Sequence, residues 1–293
     1  MIIKRAKIKP LDVVLVFMLL SFGLFLAYRI SVGLHYKWNW SVIPQYLFRY
    51  DPDLNGWLPN LLVQGLFNTI RLSIWGTLFA TILGTALGMC RISQSLFKRL
   101  LGRTYVELIR NLPPLVLIFI FYFFVSDQIM PVLGVEEFVR SRSESTQKIL
   151  AFLFAPPSQF SAFLSAVFTL AIFEGAYIAE IVRAGIQSIE KEQWEAGHAL
   201  GLSRRHQMFD VILPQATHRI LPPLAGQFIS TIKDSAIVSV ISIQELTFQG
   251  MELMSATYLT FEIWITVSLL YLMLTLSLSV GVGRLEVRMR KRY

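Results

Sequence analysis

Six long, mostly apolar stretches constrain this chain more than any other feature, because about 20 apolar residues are what a helix needs to cross a bilayer core roughly 30 Å thick. They run Leu11–Tyr28, Leu72–Cys90, Tyr105–Val125, Phe160–Val182, Leu224–Ile243 and Ile263–Val282. Inside lipid every backbone amide must be satisfied within its own segment, so the expected class is an all-α polytopic membrane protein. Composition agrees: 54% of the 293 residues are hydrophobic and 16% charged, too apolar for the pair of soluble domains that length alone would allow. A single cysteine, Cys90, excludes an internal disulfide and any cysteine-based metal framework.

The formal charge of +8 would suggest nucleic acid in a soluble domain, so the location of the basic residues decides its meaning. With the N-terminus in the cytoplasm, 18 of them fall inside and six outside. The inside set comprises Lys4, Arg5, Lys7 and Lys9; Arg91, Lys98, Arg99 and Arg103; Arg183, Lys191, Arg204, Arg205 and Arg219; and Arg284, Arg288, Arg290, Lys291 and Arg292. This is the positive-inside pattern of a membrane protein with both termini cytoplasmic, and no nucleic-acid partner is expected. The first stretch is long and lacks a small-x-small cleavage site, so it reads as an uncleaved anchor in contact with lipid. Trp38, Trp40, Trp57 and Tyr36 in the outer segment after it suit an interfacial belt.

The second stretch carries Gly76, Ala80, Gly84 and Gly88, a small residue at every fourth position. Such a face admits close approach of another helix, either within the bundle or across a dimer seam. Arg71, just before this stretch, can reach the outer headgroups and is assigned no function here.

Residues 193–216, between the fourth and fifth stretches, read as two short helices joined by a turn. Gly201 can take the left-handed conformation that ends the first, Ser203 can cap the second, and Pro214 is expected to help stop it. Arg204 and Arg205 occupy the first turn of the second helix, where the macrodipole disfavours cations. Either an acidic surface on another protein or solvent can relieve that conflict.

The segment resembles the EAA loop of ABC importer permeases. Glu195, Ala196, Gly201, Val211, Leu213 and Pro214 match its pattern of E-A-A, a glycine four residues on, and a hydrophobic residue before Leu-Pro. Upstream, Gly175 to Ile186 is similar to the segment preceding this loop in the polar amino acid subfamily, and Tyr105 to Pro114 to its third-span entry. Two positions depart: Gly197 replaces the second alanine, and Glu192 stands where the subfamily usually has glycine.

The resemblance covers roughly residues 60–285. It implies a type I importer core of five helices preceded here by one extra helix. The corresponding organisation is an N-terminal helix and outer segment over 1–58, a permease domain over 59–285 and a basic tail over 286–293. It further implies a bacterial inner-membrane location, a coupling helix docked on a separate ABC ATPase subunit, an external solute-binding protein, a second permease copy or a related permease, and a polar amino acid substrate. No cofactor is expected in this chain, which has no G-x-x-x-x-G-K-[ST] motif. ATP and Mg would sit on the partner, and the chain itself is expected not to be an enzyme.

Charges within the stretches are the remaining candidates, since a buried charge in lipid is costly unless paired or wetted. Glu107 with Arg110, and Glu180 with Arg183, are spaced three apart and can pair on one helix face. Glu174 lies nine residues before Arg183, roughly 13 Å deep at 1.5 Å per residue. Lys233 and Asp234 reach a similar depth on the fifth stretch. These three can hold a zwitterionic solute, with Tyr177 lining the same path. Alternatively Glu174 and Lys233 can form a salt bridge while Asp234 caps a broken helix. Pro113 and Pro114 should kink the third stretch, while Pro222 and Pro223 can mark the start of the fifth.

Two other functions compete with import. A self-contained proton- or ion-coupled transporter of a small polar solute would use Glu174 and Asp234, but no inverted repeat is visible. A membrane enzyme would need a catalytic motif, and neither H-E-x-x-H nor G-x-S-x-G occurs. The outer segment near residues 127–157 is a candidate docking surface for the binding protein. Nothing in the chain names the amino acid.

Overall fold

The computed structural model describes residues 10–33, 36–53 and 55–290. Lys4, Arg5, Lys7, Lys9, Lys291 and Arg292, which contribute to the orientation argument above, lie outside the described residues. The chain divides into two units, Met1–Trp40 and Ser41–Tyr293.

The first unit holds helix α1 (Pro10–Gly33). Over residues 11–26 its Leu, Val and Phe side chains are exposed on every side, as suits a helix whose solvent is lipid. Beyond it Trp38 and Trp40 stack with ring centres 5.9 Å apart.

The second unit opens with a short helix α2 (Ile43–Leu47) and an antiparallel hairpin, β1 (Phe48–Asp51) and β2 (Gly56–Pro59), with Tyr50 opposite Trp57. The hairpin occupies the segment where the sequence reading placed only interfacial aromatics. Helix α3 (Leu61–Arg91) follows, then α4 (Leu96–Asn111) and α5 (Pro114–Phe124). A π-helical turn over Val125–Ile129 leads to the short helices α6 (Met130–Val132), α7 (Val135–Arg140) and α8 (Glu144–Leu153). Helix α9 (Phe160–Gln187) crosses back to α10 (Lys191–Ala199) and α11 (Arg204–His206). Helices α12 (Leu213–Asp234), α13 (Leu246–Thr257) and α14 (Thr260–Arg290) complete the unit. Among the described residues, six helical segments are long and apolar enough to cross a membrane.

Helix α9 is the axis of this bundle: 72% of its most apolar stretch is buried, against 11% for α14. The small-residue face of α3 lies against it. A Cβ added at Gly84 would stand 2.7 Å from Ile178 Cβ and 2.8 Å from the Gly175 carbonyl, and one at Gly88 would stand 2.8 Å from Val182 Cβ. These glycines therefore bring two helices of one chain together, and the dimer-seam alternative is not what this face serves. Helix α3 begins beside the hairpin and ends where Arg91 reaches Glu180 of α9. The bundle thus has a hairpin end and a loop end.

Three expectations are corrected. The third stretch is not one kinked span: α4 stops at Asn111, Leu112 and Pro113 are extended, and the apolar crossing helix starts at Pro114. Proline disfavours helical backbone in the residue before it, so two consecutive prolines separate the helices instead of bending one. Glu107 pairs with Arg103 at 2.7 Å instead of Arg110, whose guanidinium lies over the Tyr177 ring at 5.5 Å. Finally, Pro214 does not stop a helix, nor do Pro222 and Pro223 begin one. A π-helical turn over Gln207–Ile212 joins α11 to α12, and all three prolines lie in the helix that follows.

Candidate functional site

The loop is held by its own backbone chemistry. Gly201 has φ +71°, its amide donates to the His198 carbonyl at 3.0 Å, and the Leu202 amide donates to the Gly197 carbonyl at 3.1 Å. This is the Schellman arrangement that ends a helix on a left-handed residue, and it turns the chain sharply after α10. Ser203 Oγ then accepts from the His206 amide at 3.4 Å and starts α11, as its position in the sequence suggested.

The side chain that locks α10 to the following helix is Gln207. Its amide donates to the Trp194 carbonyl, and its stem fills the space above Gly197, where an added Cβ would stand 2.8 Å from Nε2 and 3.0 Å from Cγ. The absent methyl at Gly197 thus makes room for Gln207, which accounts for the departure from the E-A-A triplet. Below, Ile212 is buried against Ile186 and Ile189. Gln215 reaches Gln193 at 3.1 Å, and Arg219 reaches the Ser188 carbonyl, so α12 holds the first turn of α10 and the residues just before it.

What remains outward is a mixed surface. Glu195 is exposed and paired to Lys191 at 3.0 Å. Ala196 is also exposed, while Leu200 and Phe209 are 79% and 57% exposed. Arg204 and Arg205 are exposed, and neither has an ion pair among the described residues. Leu213 is half-buried and Pro214 exposed in the first turn of α12. Leu200 and Phe209 were not candidates from the sequence, because an apolar residue on a short amphipathic helix gives no sign of which way it faces.

The remaining candidates lie at the other end of α12. Glu174 on α9 is fully buried; its Oε2 accepts from Gln227 Nε2 at 2.6 Å, while Oε1 has no partner. The Asp234 carboxyl stands close to it. Gln227 precedes Asp234 by seven residues, two helical turns, so both project from the same face of α12 towards α9. Gln227 was not a sequence candidate, although this spacing from Asp234 was available as a signal.

Lys233 is exposed and makes no salt bridge to Glu174, which removes the pairing alternative. Asp234 is the last α-helical residue before a 3-10 turn over Ser235–Ile241. Tyr177 packs edge-on against Phe173, 5.4 Å between centres, on the side facing α4 and α5. The Glu180–Arg183 pair is present, with Arg91 of α3 on the second carboxylate oxygen.

One chain of covalent structure connects the two groups. From Arg204 to Asp234 the backbone is helical without interruption, about 46 Å at 1.5 Å per residue. Its first turn belongs to the exposed loop, and its last carries Asp234, an exposed residue whose carboxyl stands beside the buried Glu174.

Residues 76–291 match the model of a family described as the binding-protein-dependent transport system inner membrane component. The chain is 34% identical over 236 residues to the probable glutamine ABC transporter permease GlnM of Bacillus subtilis, covering 80% of this chain and 95% of that protein. It is 35% identical over 230 residues to the glutamine transport system permease GlnP of Escherichia coli, covering 78% and 93%. Among solved structures, an amino acid ABC transporter crystallised with histidines superposes with a TM-score of 0.62 at 32% identity, over 78% of this chain and 94% of that one. The inward-facing MetNI methionine transporter, at 16% identity and a TM-score of 0.60 over 78% and 96%, shares the fold.

Proposed function

This chain belongs to the family of binding-protein-dependent transport system inner membrane components, and from that premise we propose that it is the permease subunit of an ATP-driven importer of a polar amino acid. The observation that carries the reading is the single helical rod from Arg204 to Asp234. A partner that pushes on α10 acts through the Gln207 lock on one end of this rod, and the other end carries the carboxylate that faces Glu174.

In this account the exposed patch of Glu195, Ala196, Leu200 and Phe209 is the contact for a separate ABC ATPase. ATP and Mg bind there and not to this chain. Closure of the ATPases displaces α10, tilts the rod and switches the bundle between openings at its two ends. Glu174 and Asp234 meet the ammonium of the solute, with Lys233 opposite its carboxylate at the mouth of the site. Gln227 orients Glu174. Tyr177, held under Arg110, works as packing beside the path.

The finer assignments follow from the same reading. The distribution of Lys and Arg supports cytoplasmic termini, and the family description with its bacterial relatives supports a bacterial inner-membrane location. The segment over 127–157, with α7 and α8 at the hairpin end, is the docking surface for the external binding protein. A second copy of this chain or a related permease completes the translocation unit. Glutamine and its close relatives head the substrate list because GlnM and GlnP carry that name.

The test is uptake by the complex purified with its ATPase and binding protein and reconstituted in vesicles. ATP-dependent accumulation of one member of a panel of acidic, basic and amide amino acids supports the proposal. Uptake by this chain alone, driven by a proton gradient, contradicts it.

A further inference from the structure

The hairpin end of the bundle holds a chamber that neither the loop nor the Glu174 group uses. Arg49 on β1 and Arg71 on α3 both line a cavity of about 430 Å³. Among the described residues neither guanidinium is in an ion pair. Arg71 is half-buried and donates Nη1 to Asn68 Oδ1 at 3.2 Å.

The amide wall behind it is internally bonded. Asn68 Nδ2 donates to the Gln244 carbonyl at 2.8 Å, and Gln159 Nε2 donates to Gln244 Oε1 at 3.0 Å. The same three amides line a second, adjoining hollow of about 110 Å³ that reaches inward to Phe163 and Ser242. The chamber therefore has a cationic mouth, an amide neck and a mixed inner end.

A guanidinium at the edge of a membrane span without a carboxylate partner keeps most of its five donors for something else, and its planar fork fits a carboxylate with two parallel bonds. Primary amides beside it accept and donate, which suits the polar remainder of a small organic acid and gives no advantage to a bare inorganic ion. Concave sites of a few hundred Å³ with a small number of convergent polar groups are of the size that takes such molecules.

We propose that Arg71 and Arg49, backed by Asn68, Gln159 and Gln244, form an entry site that captures the carboxylate of a small polar solute at the hairpin end. The site rests on the importer reading only for the solute it meets in the cell. The binding itself is a property of this chain.

The test is calorimetric titration of the purified full-length chain in phosphate-free detergent solution. The probe is N-acetyl-L-glutamine, whose blocked ammonium removes any need for Glu174. We expect saturable binding that Glu174→Gln leaves unchanged and Arg71→Gln weakens at least ~10-fold, the value of about 1.4 kcal/mol of charge-assisted hydrogen bonding. Arg49→Gln weakens it less, and N-acetyl-L-glutaminamide, which lacks the carboxylate, does not bind. Arg71→Lys, which keeps the charge without the fork, binds between the two and guards against a folding defect in Arg71→Gln. Absence of binding to the parent chain, equal affinity in Arg71→Gln and Arg49→Gln, or equal binding of the carboxamide overturns the proposal. Loss of ATP-driven uptake in the full transporter with this titration intact would instead count against the importer reading alone.

Discussion

Replacing Gly84 with alanine is the sharpest test of how the bundle is assembled. The new Cβ would lie 2.7 Å from Ile178 Cβ and 2.8 Å from the Gly175 carbonyl oxygen. One of those atoms is backbone, so no rotamer change relieves the contact and α3 must move away from α9. The displacement is shared by the neighbouring contacts of Gly76 with Leu170 and Gly88 with Val182, because all three lie on one helix face. Overpacking of this kind costs about 1–3 kcal/mol, and the gain in helix propensity from glycine to alanine returns up to about 1 kcal/mol. Because one contact is backbone, the upper part of that range, about 2–3 kcal/mol, applies, and the net expectation is a loss of about 1–2 kcal/mol. For a chain of this size that corresponds to a midpoint lowered by roughly 2–3 °C, read by thermal unfolding of the detergent-purified protein. Gly281→Ala on α14 is the control, since nothing lies within 4 Å of its added methyl; its midpoint should stay level or rise. Equal midpoints for Gly84→Ala and the parent would show that this face is not the α3–α9 contact. Loss of a dimer with an unchanged monomer midpoint would restore the seam reading.

Other consequences concern the loop and the buried carboxylate. Gly201→Val forces a β-branched residue into φ +71°, a strain of about 1–3 kcal/mol. With Glu195→Lys it should abolish ATPase assembly or uptake while membrane insertion, followed by fractionation, stays normal. Gln207→Ala removes the bond to Trp194 and should uncouple ATP hydrolysis from transport; Gly197→Ala in the same chain should restore part of the coupling by refilling the space, measured as solute moved per ATP. Gln227→Leu leaves Glu174 without its donor, a loss of about 1–3 kcal/mol. It should raise the half-saturation concentration for uptake about tenfold or more with the assembled complex intact, and an unchanged value would remove Gln227 from the site.

How much of this was legible beforehand depended on whether the signal was local. The number of apolar stretches and the loop turn at Gly201 and Ser203 depend on residues a few positions apart, and both are found as expected, although the third and fifth stretches begin elsewhere. The prolines misled because proline has two effects. At Pro113 and Pro114 it separates two helices by keeping Leu112 and Pro113 extended, whereas Pro214, Pro222 and Pro223 sit in a helix that tertiary packing and a π-helical turn keep continuous. Spacing alone does not distinguish these cases. The Glu180–Arg183 pair is present, while two other charge pairings are absent for another reason. Lys233 was the obvious partner for Glu174 by sign, but its position next to Asp234 turns it outward, and the neutral Gln227 two turns earlier faces Glu174 instead. Glu107 chose Arg103 over Arg110 because Tyr177, seventy residues on, offered Arg110 a ring face. The role of Gly197 was invisible until Gln207 was placed above it, since ten residues and a reversed chain direction separate them.

The central claim is that the outward face of the loop receives a nucleotide-hydrolysing partner. It is tested most directly by placing a photo-crosslinking amino acid at Leu200, which is 79% exposed on that face, and irradiating intact cells. A crosslink to an ABC ATPase subunit is expected, and its yield should change when ATP is depleted. A crosslink confined to lipid, or labelling of Leu200→Cys by a membrane-impermeant reagent added outside the cell, would contradict it.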